Sequence, residues 1–178
     1  LARKLAAAFW PGPLTLVLPL AQGAPVSSLV TAGLPTIALR VPAHPVMQAV
    51  VRGLGRGLAA PSANASGRLS PTRARHVQQS LDGRIPLILD AGPCAAGLES
   101  SIVAIDGSSA RLLRLGAIAP DEIEAVIGRP LARAADGAPI AAPGMMLRHY
   151  APGLPVRLDA TEAEPHEFHI GFGDIAGD

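Results

Sequence analysis

The most informative segment of the chain reads Leu58-Ala59-Ala60-Pro61-Ser62-Ala63-Asn64-Ala65-Ser66-Gly67-Arg68-Leu69-Ser70-Pro71-Thr72. Its apolar start predicts the end of a strand. Ser70-Pro71-Thr72 predicts a helix N-terminus, because serine favours the cap and proline the first turn. A polar loop between the two would offer backbone N–H groups, hydroxyls and a helix dipole to an anion such as phosphate. Taken alone, the residues favour the simpler alternative, an ordinary turn rich in Ser and Asn.

The overall composition restricts the class of protein. The chain has 178 residues, 49% of them hydrophobic, which is enough for one domain and part of a second. A net charge of +1 gives no electrostatic argument for nucleic-acid binding. The single cysteine, Cys94, excludes an internal disulfide and a cysteine-built metal site. No apolar run approaches the length of a membrane span, so we expect a soluble, cytoplasmic protein.

The order of apolar runs and turn residues predicts an α/β fold. We expect a twisted mixed sheet with helices packed around it. Its strands should begin at Leu14, Thr36, Leu58, Pro86, Ser101 and Ala110. Helices are predicted for Leu1–Phe9, His44–Leu54, Ser70–Leu81 and Pro120–Ile127. The last two strands should form a hairpin, because Asp106-Gly107 between them is a strong turn signal.

Alternation along the second strand separates its side chains into two sets. Thr36 and Arg40 share one face, and Ile37, Leu39 and Val41 share the other, which we predict to be the core face. Two interpretations of Arg40 remain open. It is either an edge arginine that reaches solvent or a fork that holds a carboxylate with two hydrogen bonds.

Few other polar residues indicate chemistry by themselves. Thr15 is the only polar side chain of the first strand, and we interpret it as an ordinary β-branched strand residue. His44 is expected to be a cap or a surface residue. His166 and His169 lie three apart in a segment that looks extended, which argues against a metal pair. No Ser-His-Asp set or carboxylate pair is evident, so we predict no catalytic nucleophile and no side chains that ligate a metal.

Six stretches of the chain resemble one known family in the same order. Pro61–Gly67 with Ser70–Thr72 resembles the signature loop of the YrdC-like domain, the catalytic domain of threonylcarbamoyl-AMP synthases. Pro143-Gly144-Met145-Met146-Leu147-Arg148-His149-Tyr150-Ala151-Pro152 resembles the linker of the longer, two-domain synthases. The other four stretches are Phe9-Trp10-Pro11-Gly12-Pro13-Leu14-Thr15, Thr36-Ile37-Ala38-Leu39-Arg40-Val41-Pro42, Gly97-Leu98-Glu99-Ser100-Ser101-Ile102-Val103 and Leu112-Leu113-Arg114-Leu115-Gly116-Ala117-Ile118.

The resemblance implies a reaction. L-threonine and bicarbonate would give a carbamate that attacks the α-phosphate of ATP, forming threonylcarbamoyl-AMP and pyrophosphate for the t6A modification of tRNA. The chemistry implies a Mg²⁺ ion on the phosphates, and tRNA would be reached only through a downstream transferase. By matched position, the ATP side would comprise Thr36, Ser62, Asn64, Ser70, Arg114 and the lid residue Tyr150. The threonine side would comprise Arg40, Ala60 through its backbone, and Ser100.

The resemblance also implies a division of the chain. We expect a YrdC-like, DHBP synthase-like α/β domain over residues 1–128, a linker and lid over residues 129–153, and the start of a small second α/β domain over residues 154–178. The family's amino-terminal part, with a basic Lys-x-Arg motif for the triphosphate, is expected to be missing. A fragment without it should be inactive and poorly soluble.

Two other functions are compatible with such a domain. One is an RNA-binding module without catalysis, which the near-neutral charge does not favour. The other is the carbamoyl-transfer domain of hydrogenase maturation, which the resemblance of the linker to two-domain synthases does not favour.

Overall fold

Short helices and strands alternate along the chain, because proline and glycine interrupt its apolar runs. The computed structural model describes residues 1–133, 155–171 and 174–177. The helices are α1 (Ala2–Phe9), α2 (Ser28–Thr31), α3 (Pro45–Leu54), α4 (Ala74–Leu81) and α5 (Pro120–Ile127). The strands are β1 (Leu14–Pro19), β2 (Thr36–Leu39), β3 (Ser101–Asp106), β4 (Ser109–Arg114) and β5 (Ala132–Arg133).

The strands form one mixed sheet in the order β2-β1-β3-β4-β5. β1 pairs antiparallel with β2 and parallel with β3. β3 pairs antiparallel with β4, and β4 pairs parallel with the short β5. The predicted α/β class with a mixed sheet is therefore confirmed. The long connection from β2 to β3 carries α3, α4 and the segment 58–72.

The main core lies on one face of the sheet. Leu5 of α1, Leu14 of β1, Val103 of β3 and Ile123 of α5 are all fully buried there. Side chains at alternate positions of β1 and β3 reach this face, and the apolar residues between them, such as Val17 and Ile102, reach the other face. Helices α1 and α5 cover it. The opposite face has a smaller apolar cluster of Val17, Ile102 and Leu113, and its polar residues form the site described below.

The predicted hairpin and two of the predicted helix ends are confirmed. Asp106 pairs with Ser109, and Gly107 in the two-residue turn has a φ of 54°, a value that glycine adopts without strain. His44 is the N-cap of α3, where its Nδ1 accepts from the Val46 N–H at 3.3 Å. α5 ends at Gly128 in the left-handed conformation, as the sequence predicts.

Two predicted strands are wrong. The segments that begin at Leu58 and Pro86 are irregular, and no strand among the described residues pairs with either. Leu58 is 47% exposed, and Leu87 in the second segment is 71% exposed. The first segment has only three apolar residues before Pro61, and the second begins with a proline, which has no N–H group. Each segment therefore offers too few backbone donors to pair with a strand of the sheet.

The predicted start of the fourth helix is also wrong. The helix begins at Ala74, because Arg73 is still extended with a φ of −145°. The Thr72 carbonyl accepts from the Cys94 N–H at 2.9 Å, and the Ser70 hydroxyl bonds to Glu99. The bonded Thr72 carbonyl and the extended Arg73 prevent a helical turn at Ser70, so the predicted helix does not begin at the end of the polar loop.

The predicted core face of the second strand is wrong as well. Leu39 is 41% exposed and Val41 is 40% exposed. β2 lies at the edge of the sheet, and the helices that cover the main core pack over its centre. α2 and β5 were not predicted from the sequence. Within the described ranges, no helix is both long and apolar enough to cross a bilayer.

Candidate functional site

Three polar side chains meet where β1 and β3 begin and β4 ends. The parallel register pairs Thr15 with Ile102, and the antiparallel register pairs Ile102 with Arg114. Because side chains two residues apart share a face, Ser100 lies on the same side of the sheet as Ile102 and Thr15. The sheet thus brings Thr15, Ser100 and Arg114 together, although 85 residues separate the first two.

The Ser100 hydroxyl is the centre of this group. It lies 2.7 Å from the Thr15 hydroxyl, and it accepts from Arg114 Nη2 at 3.1 Å. Ser100 as a residue is only 5% exposed. A buried hydroxyl held by two neighbours has a fixed position, which suits the recognition of a small polar ligand.

The Arg114 guanidinium is fixed by the same residue. Its Nε and Nη2 both donate to the backbone carbonyl of Ser100, at 3.1 Å and 2.9 Å. An arginine held in this way presents its charge in a defined direction, so it can bind an anion at a small further cost in side-chain entropy.

Arg40 contributes a second positive charge. Its Nε donates to the Gly12 carbonyl at 3.1 Å, and the Gly12 N–H donates to the Val41 carbonyl at 2.8 Å. Partial burial lowers the pKa of Arg40, and the nearby charge of Arg114 lowers this pKa further. In the described part of the chain the ion pairs all involve Arg157, so no carboxylate there neutralises Arg40. Two cations near one another in this way favour an anionic ligand between them.

A glycine after β4 holds Ser100 in place. A Cβ on Gly116 would overlap the backbone of Ser100 and Ser101. The next residues bind the same strand, since the Ala117 N–H donates to the Glu99 carbonyl at 3.0 Å. The buried Ser101 hydroxyl donates to the Ile118 carbonyl at 2.6 Å and accepts from the Ile118 N–H at 3.1 Å. This close approach fixes the backbone that carries Ser100.

The polar loop is ordered by its own asparagine. Asn64 Nδ2 donates to the carbonyls of Ala65 and Arg68, at 3.0 Å and 2.9 Å, so both of its N–H groups are used. Its Oδ1 is buried and has no partner within the described ranges. The Ala65 N–H donates to the Ser80 hydroxyl of α4 at 2.8 Å, which attaches the loop to that helix. In this geometry Asn64 orders the loop and can offer a ligand only an acceptor.

The other predicted site residues are spread more widely. Ser62 and Ala60 are exposed on the loop. Ser70 is linked to the segment just before β3, because its hydroxyl donates to Glu99 Oε1 at 2.6 Å. Thr36 pairs with Pro19 at the opposite end of β2, roughly 13 Å along the strand from Arg40. Tyr150 lies outside the described residues.

Two contacts at the site involve residues that the sequence did not predict. Thr15 was interpreted as a strand residue, and Glu99 was only a neighbour of Ser100 in a motif. The signal for Thr15 was its position as the one polar side chain in a buried strand. Of the described residues, no three His, Cys, Asp or Glu side chains cluster as a metal site would require.

Comparison with known families gives two adjoining matches. The Sua5/YciO/YrdC family model, described as telomere recombination, matches residues 1–116. A model described as threonylcarbamoyl-AMP synthase, C-terminal domain, matches residues 118–172.

Several curated proteins are similar over most of the chain. A threonylcarbamoyl-AMP synthase of Bacillus subtilis is 46% identical over 162 residues, which is 88% of this chain and 46% of that protein. A threonylcarbamoyl-AMP synthase of Pyrococcus abyssi is 43% identical over 159 residues, which is 87% of this chain and 46% of that protein. The chain thus spans about half the length of the curated relatives it matches.

Solved structures are similar in fold. The crystal structure of P. abyssi Sua5 complexed with L-threonine matches with a TM-score of 0.78 and 43% identity, over 85% of this chain and 45% of that one. The crystal structure of E. coli YciO matches with a TM-score of 0.54 and 21% identity, over 64% of this chain and 54% of that one, which concerns the fold alone.

Proposed function

The chain belongs to the Sua5/YciO/YrdC family, and on this premise we propose that it supplies the YrdC-like part of an L-threonylcarbamoyladenylate synthase. The substrates would be L-threonine, bicarbonate and ATP, and the products threonylcarbamoyl-AMP and pyrophosphate. Relatives at 41–46% identity carry the name threonylcarbamoyl-AMP synthase. The product would reach tRNA through a separate transferase.

The observation that carries the proposal is the pair of neighbouring cations beside a buried serine. Arg40 and Arg114 lie close enough for the charge of one to lower the pKa of the other. Arg114 also donates to the Ser100 hydroxyl. We assign Arg40 to the carboxylate of L-threonine, Ser100 and the Ala60 backbone to the rest of that amino acid, and Arg114 to ATP. A similar solved protein was crystallised with L-threonine.

The remaining nucleotide contacts are proposed by position. Ser62, Asn64 and Ser70 of the loop, Thr36 of β2 and Tyr150 would lie on the ATP side. The polar hydrogens of Asn64 and Ser70 are already used, so each could offer a ligand only an oxygen acceptor, and that of Asn64 is buried. An ion such as Mg²⁺ would come with the phosphates, because the described residues form no acidic cluster to hold one.

The proposed chemistry depends on positioning more than on covalent catalysis. An oxygen of the threonine carbamate attacks the α-phosphorus, and the bond from that phosphorus to the β-phosphate oxygen breaks. Arg40 would hold the carboxylate, which fixes the carbamate relative to the phosphorus. Arg114 would stabilise the negative charge that develops on the phosphate oxygens. Neither step needs a nucleophilic side chain.

The test is release of pyrophosphate from ATP, measured with bicarbonate and with or without L-threonine. We propose that a protein extended to the length of the relatives shows threonine-dependent release, and that residues 1–178 alone show little. Release that does not depend on threonine in the extended protein would contradict the proposed function. Release by the shorter chain at a similar rate would contradict the expected importance of residues outside it.

The cellular location and domain limits are part of the same proposal. A synthase that uses ATP would work in the cytoplasm, and one exposed cysteine without a disulfide suits a reducing compartment. We keep residues 1–128, 129–153 and 154–178 as the proposed catalytic domain, linker and second domain. Limited proteolysis with mass spectrometry would locate the linker by its first cleavage sites.

A further inference from the structure

We infer that Thr15 is a positioning residue of the threonine site, where it fixes the orientation of the Ser100 hydroxyl. The inference rests on the proposed function. It adds a residue that the sequence analysis interprets only as a β-branched strand residue. Thr15 and Ser100 are joined by a 2.7 Å contact between their hydroxyls, across the parallel pair β1–β3.

Counting hydrogen bonds at the Ser100 hydroxyl shows why the partner matters. The oxygen has two lone pairs and one proton, and Arg114 Nη2 occupies one lone pair because a guanidinium can only donate. The Thr15 hydroxyl then takes either the second lone pair or the proton. In both cases the Thr15 contact determines whether Ser100 presents a donor or an acceptor to a ligand. Without this partner only Arg114 bonds to the oxygen, and the direction of the hydroxyl proton is no longer set by Thr15.

The location of Thr15 couples this contact to the second cation. Gly12, three residues earlier, supplies the carbonyl that accepts from Arg40 Nε. The segment Gly12–Thr15 therefore holds both Arg40 and Ser100, the two side chains that we assign to L-threonine. Leu14, the residue before Thr15, points to the main core and is fully buried, which anchors the segment.

The packing of the strand does not itself require a hydroxyl at this position. Val17, two residues further along the same face, is a β-branched apolar residue that is 3% exposed. Valine has nearly the shape of threonine, so Thr15→Val preserves the strand and removes only the hydroxyl. Thr15→Ser keeps the hydroxyl and removes a methyl group. This pair of variants separates a role in hydrogen bonding from a role in packing.

The experiment measures binding of L-threonine and of ATP to the full chain by calorimetry, with the fluorescence of Trp10 as a second signal. Trp10 is the one tryptophan of the sequence, and its Nε1 donates to the Leu14 carbonyl at 2.8 Å, beside Thr15. Thr31→Val is the matched control. Thr31 is also mostly buried, and its hydroxyl donates to the Ser28 carbonyl in α2.

We expect Thr15→Val to raise the Kd for L-threonine about tenfold and to change the Kd for ATP less than twofold. Thr15→Ser should restore threonine binding to within about threefold, and Thr31→Val should leave both constants unchanged. Unchanged threonine binding in Thr15→Val would overturn this inference while the proposed function stands. The inference would also be overturned if both Thr15→Val and Thr15→Ser weakened L-threonine and ATP binding equally, because a change in packing would then be the cause. Failure of the unaltered chain to bind L-threonine would overturn the threonine site itself.

Discussion

The hydroxyl of Ser70 donates to the carboxylate of Glu99 at 2.6 Å, across 29 residues of sequence. This contact joins the end of the polar loop to the residue that precedes Ser100. The one hydroxyl proton of Ser70 is thereby used. While the contact lasts, Ser70 can offer a nucleotide only an acceptor, which suits a ribose hydroxyl or a base amino group better than a phosphate oxygen.

We predict that Ser70→Ala loosens the loop. Removing a hydrogen bond to a charged group costs about 1.5–3 kcal/mol, and we expect most of this loss to appear as faster amide exchange at residues 62–70. Hydrogen exchange with mass spectrometry measures it. Ser66→Ala is the matched control, because Ser66 is exposed in the same loop. Equal exchange in Ser70→Ala and the unaltered chain would show that the contact does not order the loop.

Arg40 tests the carboxylate assignment. Arg40→Ala should weaken L-threonine binding roughly 10- to 100-fold, as expected for loss of a charge-assisted hydrogen bond, and should change ATP binding much less. Arg40→Lys should restore binding only in part, because lysine cannot form the two-pronged contact. Titration calorimetry with both ligands gives the comparison.

A control for Arg40 is available on the same sheet. Arg111 is an exposed residue of β4 outside the site, so Arg111→Ala removes the same charge and should leave both affinities unchanged. If Arg40→Ala lowers ATP and L-threonine affinity equally, Arg40 holds the fold through Gly12 and not the substrate.

Gly116 tests how tightly the Ser100 backbone is held. Gly116→Ala places a Cβ against the backbone of Ser100 and Ser101, which cannot move without breaking the start of β3. We expect a loss of about 1–3 kcal/mol in the free energy of unfolding, typical of an overpacked position, together with weaker L-threonine binding. Urea denaturation measures the first effect and calorimetry the second.

The control for Gly116 is Gly53→Ala in α3, where a Cβ meets no neighbour. That change should stabilise the helix by up to about 1 kcal/mol. A neutral effect of Gly116→Ala would show that this segment adjusts more easily than its contacts indicate.

The described part after residue 154 offers a pH-dependent test. Arg157 Nε donates to Glu167 Oε1 at 3.1 Å, and the Glu164 N–H donates to Glu167 Oε2 at 2.8 Å. The hydrogen bond from Arg157, followed by that from the Glu164 backbone, lowers the pKa of Glu167 from 4.5 to about 2. A lowered carboxyl pKa means that the contact stabilises this segment above about pH 4.5, and that the contribution is lost as pH falls toward 2.

Titration of the Glu167 carboxyl by NMR checks this value. Arg157→Gln removes the main cause, so the pKa of Glu167 should rise toward its ordinary range. The surface variant Arg129→Gln changes the net charge equally and should leave the pKa in place. A low pKa that persists in Arg157→Gln would assign the effect to the backbone contact alone.

The sequence predicted the sheet best where local patterns and long-range packing agree. β1 and the β3–β4 hairpin have apolar runs bounded by clear turns, so pattern alone located them. The segment at Pro86 has the same apolar character but finds no neighbouring strand in the described structure. A short apolar segment becomes a strand only if another strand lies beside it, and its own sequence does not show whether one does.

The site was predictable to a similar extent. The resemblance of three motifs to one family indicates Arg40, Ser100 and Arg114, and the structure gives their contacts. Thr15 lies in a strand as predicted, but the contact of its hydroxyl could not be predicted, because the partner is 85 residues away. The start of α4 was misplaced for a related reason. Ser70 favours a helix cap by itself, but the Thr72 carbonyl bonds to the distant Cys94 N–H, and Arg73 stays extended.

The parallel pairing of β1 with β3 also sets the order in which the strand pairs can form during synthesis. Leu14 pairs with Ser101, so at translation rates of about 5–20 residues per second β1 emerges roughly 4–17 s before its parallel partner. β2 follows β1 closely and can form its antiparallel pair first, which brings Arg40 to Gly12 early. Ser100 and then Arg114 arrive later, and the nascent chain therefore acquires its anion-binding residues in two stages.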